Sequence, residues 1–90
     1  MADVKSVSVR LQFEVSEEEA QRLDDLRALC GLRTKKDLFN NALTILEWAV
    51  RQRQSGRTIN SIGPNREQCE LEMPALESAA SRPRNGAFDD

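Results

Sequence analysis

Val4-Lys5-Ser6-Val7-Ser8-Val9-Arg10-Leu11-Gln12-Phe13-Glu14-Val15 is the stretch whose reading decides the fold. Val7, Val9, Leu11, Phe13 and Val15 alternate with Ser6, Ser8, Arg10, Gln12 and Glu14. The period is two, and the odd positions are β-branched, aliphatic or aromatic, which predicts a β-strand over about 5–15 with one face buried. A strand leaves its backbone N–H and C=O groups unpaired unless another strand lies beside it. No second strand of similar quality follows, so the expected partner is the same strand of a second copy.

Ser16-Glu17-Glu18-Glu19 reads as a capping box at the start of a helix over about 17–30. Three glutamates there suit the positive end of the helix dipole. Ala20, Leu23, Leu26, Leu29 and Cys30 follow at helical spacing, and Gly31 is placed to end the helix. Thr34-Lys35-Lys36-Asp37 starts a second helix over about 35–55. Its apolar positions run from Leu38 and Phe39 through Ala42, Leu43, Ile45 and Leu46 to Trp48, Ala49 and Val50. So wide an apolar circumference asks for more than one neighbour. The dimer core is accordingly assigned to Val9, Leu11, Phe13, Leu26, Leu38, Ala42, Leu46 and Trp48.

Residues 57–62 have room for a short extended piece through Ile59 and Ile62. Beyond Gly63-Pro64 no periodicity is sustained, and residues 63–90 read as a flexible acidic tail. Charge supports this division. Residues 1–62 carry ten Lys/Arg and nine Asp/Glu, whereas residues 63–90 carry three and six, so the net −2 belongs to the tail.

The composition also sets limits. At 90 residues the chain fits one domain and closes over little apolar surface, which favours oligomerisation. There is no histidine, and Cys30 and Cys69 stand far apart, so neither a metal site nor a Cys-His pair is expected. Glycine-rich phosphate loops are absent. The reading is a protein that is no enzyme and binds no cofactor. With no membrane segment and no leader in view, it is expected in a reducing cytoplasm, with Cys30 as a buried small residue.

The alternation at 9–15, the cap at Ser16, the leucines at 23, 26 and 29, the Gly31-Leu32-Arg33-Thr34 turn, and Leu38 with Ala42-Leu43 together resemble the ribbon-helix-helix family of MetJ and Arc. The resemblance covers about residues 5–56. It implies a mainly α fold with one N-terminal strand, an intertwined homodimer, and a two-stranded antiparallel ribbon that enters the major groove of DNA. Carried onto this chain, it puts Arg10, Gln12 and Glu14 at the bases. Arg10 suits guanine, Gln12 adenine, and Glu14 only the cytosine amino group. It puts Arg33, Thr34, Lys35 and Lys36 on phosphates, with Lys5 and Ser8 at the outer end of the strand touching the backbone.

The implied function is a sequence-specific repressor of transcription, with further dimers joining on DNA. Two alternatives stand beside it. In one, as in an antitoxin, residues 65–80 bind a partner protein. In the other, the dimer has lost DNA binding, which the charge of Glu14 and the net acidity favour.

Overall fold

The structure, a computed structural model, describes residues 7–82. Its elements in chain order are α1 (Glu17–Leu29), α2 (Lys35–Gln54), β1 (Asn60–Ile62), β2 (Gln68–Glu70) and α3 (Pro74–Ala80). Lys5 lies outside the described residues.

Both long helices are set by their ends. The Ser16 hydroxyl accepts from the Glu19 amide at 3.1 Å, and the Glu19 carboxylate accepts from the Ser16 amide at 3.1 Å. This reciprocal pair satisfies two amides that the first turn leaves without partners. At the other end Gly31 takes φ +70°, the Gly31 amide donates to Ala28 O, and the Leu32 amide donates to Arg27 O. That is the Schellman closure, whose left-handed residue costs glycine little. The end of α2 repeats it, with Gly56 at φ +87° and the Arg57 amide donating to Gln52 O.

The expected N-terminal strand does not form in this chain. Residues 7–15 belong to no ladder, and the sheet among the described residues is the antiparallel pair β1–β2, placed between α2 and α3. The fold is therefore three helices with a short hairpin, rather than an N-terminal strand followed by two helices, and the ribbon-helix-helix architecture expected from the sequence is corrected accordingly. The physical reason is pairing. Alternation selects a face, but a strand also needs a neighbouring strand for its backbone, and among the described residues none pairs with residues 7–15.

The second correction concerns residues 63–82. Expected to be a flexible tail, they instead supply one strand of the hairpin and a third helix that packs against α2. Gly63 N donates to Glu67 O and Arg66 N donates to Gly63 O, closing a turn in which Arg66 adopts φ +69°. The ladder then pairs Ile62 with Gln68, Ser61 with Cys69 and Asn60 with Glu70. Pro74 starts α3, where a missing N–H costs nothing. Leu76 is 0% exposed on α3, which packs against α2, and Ala49 of α2 is 3% exposed. A single well-placed leucine has no periodic signature, which is why the sequence pattern does not announce this docking.

Arg53 reinforces the joint. Its Nη2 lies 3.0 Å from Glu77 Oε1, and its Nη1 donates to Arg57 O at 3.2 Å. Glu77 is largely solvated, so the ion pair contributes at most about 1 kcal/mol. Burial of Leu76 stabilises the joint more than the ion pair does. Leu76→Ala should lower unfolding stability by about 2–4 kcal/mol and strip amide protection from residues 74–80. Glu77→Ala should cost less than about 1 kcal/mol. Denaturant titration with hydrogen exchange checks both, and equal small losses would show that α3 is not held by its leucine.

Candidate nucleic-acid interface

The N-terminus of α2 is the centre of the candidate site. Thr34 caps the helix, its hydroxyl accepting from the Asp37 amide at 3.0 Å. Lys35 and Lys36 occupy the first turn, where the dipole and free amides already favour anions. All of Arg33, Thr34, Lys35 and Lys36 are exposed. The structure thus brings the four expected phosphate-binding residues together at one helix end.

Arg27 fixes this turn to α1. Its Nη1 donates to Leu32 O at 2.9 Å, while its Nε and Nη2 donate to Asp24 Oδ1 at 3.2 and 2.8 Å. One guanidinium therefore braces the backbone just before Arg33. Asp24 responds by titrating below its ordinary value of 3.8. The Arg27 hydrogen bond is the main cause, followed by the Arg27 charge, with a further contribution from the Lys35 charge. Sequence reasoning missed Arg27. Its available signal was a cation in the last turn of α1, three residues after an aspartate.

Residues 7–15 run beside this helix end. Val9, Leu11 and Phe13 line a groove of about 420 Å³ with Lys35, Lys36, Phe39 and Asn40. Phe13 and Val15 continue into a second groove of about 610 Å³ along the Leu23, Leu26 and Leu29 face of α1. The lining residues of the segment are all odd-numbered. Arg10, Gln12 and Glu14 have the opposite parity, line neither groove and are exposed. Ser8 is exposed toward the outer end of the segment.

Most of the expected dimer core is uncovered. Val9, Leu11, Phe13, Leu26, Leu46 and Trp48 are exposed, as is Ala42, whereas Leu38 is buried within the chain at 7%. Phe39, which is not among the expected core residues, lies on the groove wall. Cys30, expected to be buried, is exposed at the end of α1. Leu38 and Cys30 are near helix ends that face each other across a tight turn, so helical spacing alone did not separate the covered residue from the open one.

Comparison with known proteins finds no matching family model, no matching curated protein and no matching solved structure.

The bracing by Arg27 has a titration signature. A carboxyl held low favours the folded state above its ordinary value, and that contribution fades as pH falls through 3.8 toward the lowered value. Carbon-detected NMR should place the Asp24 midpoint below 3.8, and Arg27→Ala should return it most of the way. An unmoved midpoint in Arg27→Ala would mean that Arg27 does not hold the turn in solution.

Proposed function

We propose that this chain is a DNA-binding homodimer that regulates transcription as a repressor. The observation that carries this reading is the shared groove. Val9, Leu11 and Phe13 share one groove with Lys35 and Lys36 of the first turn of α2, and Arg10, Gln12 and Glu14 alternate with those residues and are exposed. A phosphate backbone fits the Thr34–Lys36 turn, where amides and ammonium groups act together. Base edges fit Arg10 and Gln12, which present bidentate donor and acceptor groups. Glu14 accepts from a cytosine amino group and repels neighbouring phosphates, so it contributes to selection more than to affinity.

The second copy follows from energetics. Thirteen large apolar side chains between Val7 and Trp48 are at least 37% exposed in the single chain. Leaving them wet forgoes on the order of 10–20 kcal/mol of burial, comparable with the whole stability of a small domain. A second chain covers the same face on both partners at once, as a twofold interface requires.

The partner-protein reading draws on a different observation. Leu71 and Met73 are exposed beside the acidic hairpin. However, Leu76 is already packed against α2, so residues 65–80 offer a folded surface rather than a segment that folds on binding.

DNA binding is tested on the duplex just upstream of the coding sequence, with random duplex as competitor, at about 50 and 200 mM salt. Competitor-resistant binding that weakens steeply with salt is expected. Lys36→Ala should weaken all sequences alike and reduce the salt slope by about one, whereas Arg10→Ala should cost about 1–3 kcal/mol at one base position. Identical effects from the two variants would remove base reading by residues 10–14. Dimerisation is tested separately, by a melting temperature that rises with protein concentration.

A further inference from the structure

The β1–β2 hairpin presents an open edge whose geometry selects its own partner. In an antiparallel ladder, pairs that exchange hydrogen bonds alternate with pairs that do not. Gly63 N donates to Glu67 O, and Leu71 N donates to Ile59 O, so the bonded pairs are 63 with 67, 61 with 69, and 59 with 71. The intervening residues, Gln68 and Glu70 on β2 and Asn60 and Ile62 on β1, turn their N–H and C=O groups away from the hairpin. All four are exposed. A two-stranded hairpin is marginal in water and gains by adding strands.

We propose that the free edge of β2 pairs antiparallel with the β2 edge of a second copy, centred on Cys69, to make a four-stranded sheet. In this register Gln68 stands opposite Glu70 of the second copy, and Glu70 opposite its Gln68. Each pair exchanges backbone hydrogen bonds, and each brings a side-chain amide to a carboxylate. The two Cys69 residues form the central non-bonded pair, with Cα atoms about 4.5 Å apart. The β1 edge is a poorer match for itself. Pairing centred on Ser61 sets Asn60 against Ile62, a polar side chain against an apolar one. None of its residues belongs to the apolar face between residues 7 and 48, and it rests on the proposed dimer to hold two copies together. Because the strands are short, it is weak between free molecules and effective between copies already held side by side.

The probe is a cross-link between thiols. With Cys30→Ser in the full-length chain, Cys69 should form a covalent dimer under mild oxidation at least about tenfold faster than a Cys30→Ser/Cys69→Ser/Ser61→Cys control, whose thiol sits one strand further from the contact. Glu70→Pro removes an outward N–H and no hairpin hydrogen bond, so it should return the Cys69 rate to the control level while circular dichroism and melting stay unchanged. Equal rates for Cys69 and the control would overturn the proposal, as would faster linking through the Ser61→Cys thiol. A Cys69 rate untouched by Glu70→Pro in a chain that remains folded would overturn it as well.

Discussion

Among the described residues only Leu38, Ala49 and Leu76 are buried hydrophobics, and the rest of the molecule is shaped by how little apolar surface one chain of this length closes over. The two long helices do not compensate. α1 buries no residue at all, and α2 buries only Leu38 and Ala49, one near each end of its length. What the helices own outright is their boundaries. Reciprocal capping at Ser16 and Schellman closures at Gly31 and Gly56 define where they start and stop, whatever covers their sides. The scaffold is thus locally determined, and most of its large apolar side chains stay uncovered within the single chain.

The same incompleteness organises the candidate interface. Val9, Leu11 and Phe13 line a groove shared with the first turn of α2 yet stay largely exposed, and Arg10, Gln12 and Glu14 line no groove with it. The Arg27 side chain makes that turn a fixed platform, because one guanidinium holds both Leu32 O and Asp24. Anion affinity at such a helix end rises with cations in the first turn and falls with carboxylates beside them. Asp37, the one acid in the first turn of α2, donates its amide to the Thr34 cap and keeps its carboxylate in the same turn as the lysines, and Asp24 is near enough for the Lys35 charge to act on it. Charge at the opposite end of the molecule has the other sign. The acids of the hairpin and α3 sit beyond Arg53, which joins them to the helix without cancelling them. A protein with net charge −2 therefore carries a basic end, and the overall balance says little about what that end attracts.

Helix positions and ends were legible in the residues because their determinants are local: caps, spacing and glycine. The parity of residues 9–15 was legible for the same reason. Pairing was not. Whether an alternating segment becomes a strand depends on a neighbouring strand, and among the described residues none pairs with residues 7–15. The hairpin and α3 were missed for the complementary reason. Their strands are three residues long and α3 is seven, too short for a period to show. Their order comes from one turn closed at Gly63 and one leucine fitted against α2.

By itself the sequence determined two capped helices joined at Gly31, a basic first turn on the second, and an N-terminal segment with one apolar and one polar side. Each of these rests on interactions within a few residues. The tertiary structure alone decided that residues 7–15 form no strand in this chain, that residues 60–80 fold back as a hairpin and helix, and that Leu76 rather than Trp48 fills the interior. Those outcomes depend on which surfaces meet. A burial pattern shows which side chains seek cover, while only the arrangement of the whole chain shows which of them find it.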